Sequence, residues 1–353
     1  MKKTCTLTGI DIGSSKIAAV TARVDDKGLF DIISQASVPS RGIARGVPAD
    51  MGAAVGSLSR VFDKLGASGA RKAGDIYVNI SGEDVRGTRT SGMIPLSVRG
   101  REVIAADMTR CVDAASTIHL PFDREVIHKA VQNFSIDDQP PIKNPLGLYA
   151  SRLSCEAYVV TANLNHIQSV YKCVNDAGYD VKEMVFTGIA EGAGLLEKPD
   201  MDSGTAVIDI GSGITELSVF SGGAFAALRI FPIGAQDIAG DFREDVAFRS
   251  LYSSIGSGLE ELSASSGKIS SIILTGGMAL ADGMIEFLEE KLAYPIKLGI
   301  SRGLRGEVSG LDSARLSAAI GLARYAYEKR LAAGSGALRR FSEKVTDLFN
   351  SYF

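Results

Sequence analysis

Two short segments of the chain carry the residue types that hold phosphate. Residues 10–15 read Ile-Asp-Ile-Gly-Ser-Ser, and residues 208–213 read Ile-Asp-Ile-Gly-Ser-Gly. A glycine-containing turn presents consecutive backbone N–H groups, and these form an anion-binding nest. Glycine allows the close approach and the positive φ that such a nest uses. The aspartate before each turn, Asp11 or Asp209, would stand beside the phosphates and orient a hydrated Mg²⁺ or a water. The candidate contacts are Gly13, Ser14, Ser15 and Lys16 in the first copy, and Gly211, Gly213 and Thr215 in the second. A third signal is the turn Thr275-Gly276-Gly277-Met278 after the apolar run 271–274. The apolar spacing that follows predicts a helix over Ala279–Leu292. Its N-terminus would face a nucleotide held by Gly276, Gly277 and Met278.

The elements around these turns decide what kind of phosphate loop they are. Each of the first two turns closes one apolar run and opens another, as in a β-hairpin. The second run is 16–24 in the first copy and 215–220 in the second. A dinucleotide fingerprint or a P-loop needs a helix directly after its glycines, and neither copy has one. One such copy alone reads as well as an ordinary tight hairpin. Two matched copies, one opening each half of the chain, point to a duplicated α/β fold. The 353 residues are enough for two lobes with cores of their own.

Composition narrows the rest. Hydrophobic residues are 45% and charged residues 22%, and the net charge of -3 supplies no basic field for nucleic acid. Cys5, Cys111, Cys155 and Cys173 are scattered without metal-ligand spacing and read as free thiols in a reducing cytoplasm. His119, His128 and His166 have no clustered partners, so neither a metal site nor a catalytic triad is expected. No run of about 18 apolar residues exists to span a bilayer. The start, Met1-Lys2-Lys3-Thr4-Cys5, lacks the apolar core of a cleaved leader, and none is expected.

Duplicated hairpin turns with a late strand–Thr-Gly-Gly–helix resemble the phosphate-1, phosphate-2 and adenosine motifs of the actin and heat-shock-chaperone superfamily, which sugar kinases share. Further segments are similar to the bacterial cell-division protein family FtsA. They are Ser40-Arg41-Gly42-Ile43-Ala44-Arg45-Gly46-Val47, Ile76-Tyr77-Val78-Asn79-Ile80-Ser81-Gly82, the stretch 120–128, Ile142-Lys143-Asn144-Pro145-Leu146-Gly147 and 172–179. The resemblance covers roughly residues 6–328. It implies an actin-like (ribonuclease H-like) fold of two duplicated lobes with an FtsA-type inserted subdomain, a kind of insertion shared with the pilus protein PilM. The expected divisions are 1–83 and 161–190 for the first lobe and connector, 84–160 for the insertion, and 191–330 for the second lobe. A linker follows at 331–337 and a terminal helix at 338–353. The resemblance also implies ATP with Mg²⁺ as cofactor, self-association, and a divisome partner such as the tubulin-like FtsZ.

The chain departs from the FtsA pattern in three places. FtsA carries a subdomain, IIB, between the phosphate-2 lobe and the adenosine motif. Here only about 40 residues separate Phe231 from Ile272. Helices near Gln236–Val246 and Phe248–Ser263 would fill them, leaving IIB missing or reduced to a helical hairpin. In the family that subdomain walls the nucleotide and docks FtsZ. The second turn has Ile214-Thr215-Glu216 where the family has Thr-Thr-Asp. The family's Glu-Pro in the connecting segment is Thr187-Gly188 here, and Thr187 cannot serve as a carboxylate base. No catalytic residue is therefore expected, and ATP turnover is weak at most.

The last segment has chemistry of its own. Leu338, Phe341, Val345, Leu348, Phe349, Tyr352 and Phe353 recur at intervals of three and four, on one stripe of a helix. Arg339, Arg340 and Lys344 lie off that stripe. Such a helix can pack on its own body, fill a partner's groove, or lie in a membrane interface. The aromatics, the Gly/Ala/Ser linker before it and the similar ending of FtsA all point to the membrane. The expectation is an actin-fold adaptor, cytoplasmic and peripheral on the inner face of the cell membrane. A PilM-like adaptor of a pilus or secretion machine, or a sugar-kinase-type ATPase, is the alternative.

Overall fold

The computed structural model describes residues 4–25, 28–67, 74–117, 120–306, 308 and 310–334. The chain opens with the antiparallel strands β1 (Cys5–Ile12), β2 (Lys16–Val24) and β3 (Phe30–Pro39). A small hairpin follows, β4 (Ile43–Ala44) and β5 (Val47–Pro48), then helix α1 (Met51–Ala67) and strand β6 (Asp75–Ile80). An insertion begins here, with β7 (Arg86–Pro95), β8 (Arg101–Glu102), α2 (Ala105–Ser116), β9 (Arg124–Ile136), β10 (Tyr149–Ala150) and β11 (Arg152–Asn163). The first lobe resumes with α3 (Leu164–Asp176), β12 (Val181–Phe186) and α4 (Thr187–Leu195). A short helix α5 (Lys198–Ser203) leads to β13 (Thr205–Ile210), β14 (Thr215–Ser221) and β15 (Ala224–Phe231). Then come α6 (Val246–Ser266), β16 (Ser271–Thr275), α7 (Met284–Leu292) and β17 (Ile296–Leu298). The chain returns to the first lobe with β18 (Leu304–Gly306), α8 (Leu311–Arg315) and α9 (Ser317–Gly334).

Among the described residues the first lobe's sheet runs β12-β6-β1-β2-β3-β18 and the second lobe's runs β17-β16-β13-β14-β15. Both place two parallel strands on one side of the opening strand and an antiparallel meander on the other. The repeat read at 10–15 and 208–213 is thus a repeat of topology. The apolar runs before each turn become central strands, and Leu7, Ile10, Ala206 and Ile208 are wholly or almost wholly buried. One contiguous core spans both lobes, because α4 and α9 cross between the two sheets.

The insertion has a separate core. Helix α2 covers the antiparallel sheet β7-β11-β9 and buries Met108, Cys111, Val112, Phe134, Leu153 and Cys155. The insertion also touches the second lobe: the Gln132 amide donates to the Phe225 carbonyl (2.7 Å), and the Leu228 N–H donates to the Tyr158 hydroxyl (3.1 Å). His128 Nε2 accepts from the Phe186 N–H (2.9 Å), and His166 Nδ1 pairs with Asp84 Oδ1 (2.9 Å), so both described histidines are bound into the fold.

Three helix expectations are corrected. Gln236–Val246 is not a helix; a single 3₁₀ turn at Ala235–Asp237 leads into loop. Asp245 caps α6, its Oδ1 accepting from the Phe248 N–H, so the one helix in this connection starts at Val246. The helix expected from Ala279 begins only at Met284. Gly277–Leu280 is a 3₁₀ turn, and Gly283 at φ 74° ends any helical path through it. The last helix continues to Gly334, so 331–334, read as linker, extend α9. No folded α/β unit lies between β15 and β16.

Candidate functional site

The two hairpin turns have the same geometry. The Gly13 N–H donates to the Lys16 carbonyl at 3.0 Å, and the Gly211 N–H donates to the Ile214 carbonyl at 3.0 Å. Ile12 pairs with Ile17, and Ile210 with Thr215, closing turns of equal length. The positive φ expected of these glycines is not taken at Gly13, Gly211 or Gly213. Space is what requires them: a Cβ on Gly213 would stand 2.9 Å from Ser14 Oγ and 3.0 Å from Arg45 Cα. Gly276 is the exception. It has φ 85°, and a Cβ there would fall 2.1 Å from Asp209 Oδ1.

The turns face each other across a cavity of about 530 Å³, a size typical of cofactor sites. Asp11, Gly13, Ser14, Ser15 and Lys16 line it from the first lobe, and Asp209, Gly211 and Gly213 from the second. Gly276 and Gly277 close it with Leu280, Ala281 and Ala314. Two expected residues do not line it. The Thr215 hydroxyl turns to the Ile233 carbonyl (2.8 Å), and Met278 packs against the core. Arg45, on the β4–β5 hairpin, crosses to the second lobe, where it bonds the Gly213 carbonyl (3.3 Å), the Pro232 carbonyl and Asp237 (3.1 Å). The Gly46 N–H donates to Ser14 Oγ (3.0 Å), which fixes the first turn.

Reading residues locally missed Asn79, Ser81, Glu191 and Ser317, all of which line the cavity. Asn79 sits at the end of β6, 3% exposed. Its Oδ1 accepts from the Ile12 N–H (2.7 Å), and its amide donates to Asp11 Oδ1 (2.9 Å) and Thr187 Oγ1 (3.2 Å). Asn79→Ala leaves the Ile12 N–H and Asp11 without partners. It is expected to destabilise the protein by about 2–3 kcal/mol, read from chemical unfolding. Glu191 had one legible signal, as a lone charge in the small-residue run Thr-Gly-Ile-Ala-Glu-Gly-Ala-Gly. Ser317 had none.

The electrostatics are one-sided. Burial raises the carboxyl of Asp11 above its usual range, with Lys16 and the Asn79 amide pulling the other way. Burial, then the charge of Asp11, pushes Asp209 up to about 7, against the pull of Lys16. Burial raises Glu191 and Glu216 well above the carboxylate range, and Asp209 adds to both. Asp209 Oδ1, Glu191 Oε2 and Glu216 Oε2 are buried without a hydrogen-bond partner. Lys16 donates to the Arg315 carbonyl. Buried acceptors without donors, beside two glycine-containing turns, fit a ligand that brings a cation with its phosphate. No group of three or more acidic, His or Cys side chains among the described residues is arranged to hold a metal by itself. The residues therefore fit Mg²⁺ carried on a nucleotide, whose waters Asp11 and Asp209 would hold.

Residues 82–161 match the family described as "SHS2 domain inserted in FTSA". Over 381 aligned positions the chain is 26% identical to the cell division protein FtsA of Pseudomonas aeruginosa, covering 92% of this chain and 90% of the relative. The FtsA of Borreliella burgdorferi is 28% identical over 96% of this chain and 94% of its own. The chain is FtsA-like. Its fold is also that of the PilM–PilN type IV pilus biogenesis complex structure (TM-score 0.63, 16% identity, covering 90% of this chain and 97% of that one). The MreB5 of Spiroplasma citri bound to AMPPNP matches at TM-score 0.50 and 11% identity, over 95% of this chain and 99% of that one. The FtsA-like chain is shorter than its relatives inside the alignment. Since 92% of 353 residues is about 325, about 56 of the 381 positions hold a residue of the Pseudomonas protein and none of this one. The lone helix α6 between β15 and β16 stands where IIB would be expected.

Proposed function

We propose that this FtsA-like protein is an actin-fold adaptor that ties a cell-division assembly to the inner face of the cell membrane and takes Mg-ATP between its lobes. The observation that carries the reading is the FtsA-type insertion at 82–161 within a duplicated actin-type fold. Similarity to proteins named for cell division runs over nearly the whole chain. The paired turns, the cavity and the unpartnered carboxylates support the nucleotide. With IIB absent, the insertion is the surface left for self-association or for a divisome partner such as FtsZ.

The membrane-facing residues of this proposal, Leu338, Phe341, Val345, Leu348, Phe349, Tyr352 and Phe353, lie outside the described residues. No described helix is long and apolar enough to cross a membrane. Full-length protein is expected to pellet with anionic liposomes and a variant lacking 338–353 to stay in the supernatant. Equal pelleting removes the anchor. One helix of this kind binds reversibly, and assembly multiplies its hold. Calorimetric titration with Mg-ATP tests the cleft, and a flat titration refutes it. The PilM-like fold favours a second reading, an adaptor of a pilus or secretion machine. Loss of division-site localisation on deleting 338–353 would decide for the first.

A further inference from the structure

Thr187 begins α4, and its hydroxyl is already engaged by Asn79 (3.2 Å) and the Ile80 carbonyl (3.4 Å). One helical turn later the same helix carries Glu191, 1% exposed and lining the cavity. Its Oε1 accepts from the Ser317 hydroxyl (3.2 Å), and Ser317 accepts in turn from Thr275 Oγ1 (2.9 Å). This chain of hydroxyls runs from the end of β16 through the start of α9 and fixes the carboxylate's orientation. Oε2 is left with no partner.

The other buried acids are placed for different work. Asp11 accepts from Asn79, and Asp209 packs its Oδ1 against Gly276 beside the second turn. Glu216 accepts from Ser81 (3.1 Å) and does not line the cavity. Glu216 Oε2 is unpartnered too, but Glu216 lies away from the cavity. Glu191 instead keeps one oxygen free in a cavity flanked by both anion-binding turns.

We propose that Glu191 is the general base for hydrolysis of a nucleoside triphosphate in this cleft, an inference that rests on the nucleotide reading above. A water oxygen forms a bond to the terminal phosphorus, and the bond from that phosphorus to the bridging oxygen breaks. The bridging oxygen leaves with the electron pair as nucleoside diphosphate. The proton of the water passes to Glu191 Oε2 and then to the released phosphate. Burial, then the charges of Asp209 on β13, Glu216 on β14 and Asp11 on β1, raise the affinity of Glu191 for that proton. Lys16 on β2 and Arg315 on α8 are the cations that line the same cavity among the described residues. The residue sits one turn from Thr187, which is why the carboxylate looks lost when the connecting segment is read for Glu-Pro.

The test measures Mg-ATP binding by calorimetry and phosphate release by the full-length chain. Wild type is expected to release phosphate. Glu191→Gln should bind Mg-ATP within about two-fold of wild type while kcat falls by about 100-fold or more with KM unchanged, the scale of a lost general base. Glu191→Asp, which keeps the carboxylate one methylene short, should fall between them. It carries the test should the glutamine variant not fold, as judged by thermal melting. Wild-type turnover by Glu191→Gln, or a wild type that binds Mg-ATP and releases no phosphate, overturns the proposal. A wild type that does not bind Mg-ATP overturns the nucleotide reading and the proposal with it.

Discussion

Asp209→Asn is expected to raise the stability of the nucleotide-free protein at pH 8, with the gain vanishing near pH 4. In the folded protein the Asp209 carboxyl titrates at about 7, against 3.8 for the free side chain. Between those values the native state binds a proton that the unfolded chain has released. Stability therefore falls as pH rises from about 4 to about 7, and the loss is complete above the folded value. The distance between those two values sets an upper limit of about 4 kcal/mol. Asp209 keeps partial contact with cleft water while its Oδ1 has none, so about 1–3 kcal/mol is the expected size. Glu191 and Glu216 are raised by the same cause and act with the same sign. Denaturant midpoints at pH 5, 6, 7 and 8 would show a falling series for wild type and a flatter one for the variant. A wild-type series that rises with pH contradicts the electrostatic picture of the cleft.

The same carboxylates show where sequence reading stops. The phosphate turns are legible because their determinants are local: an Asp-Ile-Gly-Ser motif between two apolar runs makes a hairpin whatever surrounds it. Duplication then extends that reading to the sheets, since each turn must sit on a central strand. Boundaries were lost where a single residue redirects the chain. Asp245 looks like a polar position inside a helix and is in fact a cap. Gly283 looks tolerable within the apolar spacing 279–292, yet it adopts a left-handed conformation beside Arg243. Thr215 follows its glycines as a phosphate contact would, but strand pairing turns its hydroxyl toward Ile233.

Glu191, Asn79 and Ser317 were beyond reach for a further reason. They come from α4, β6 and α9, and only packing between the lobes brings them to one cavity. Substitution at Thr187 suggested that a carboxylate was missing from the connecting segment. A helix repeats its face every three to four residues, so a group lost at one position can return one turn on. No pattern in the linear sequence states which of those positions faces the cleft.

The crossing of α4 and α9 that makes this convergence possible is expected to be the least tolerant place in the molecule. A Cβ on Gly321 of α9 would fall 2.0 Å from the Ala190 carbonyl oxygen and 3.1 Å from the Glu191 nitrogen, and one on Gly9 of β1 2.0 Å from the Ala319 oxygen. These are backbone atoms, which cannot rotate out of the way. Gly321→Ala must push the helices apart, opening a core built of Ala190, Ala319, Leu322 and their neighbours. The expected loss is about 3 kcal/mol or more, at the upper end for overpacking. The exposed Gly56 in α1 has nothing within 4 Å of the added methyl. There the same substitution should stabilise by about 0.5–1 kcal/mol through helix propensity and unfolded-state entropy. Opposite signs for one chemical change, read from denaturant midpoints, separate close helix approach from any general intolerance of alanine. If Gly321→Ala is neutral, the two lobes are not held by this crossing, and the shared placement of Glu191 and Ser317 must have another cause.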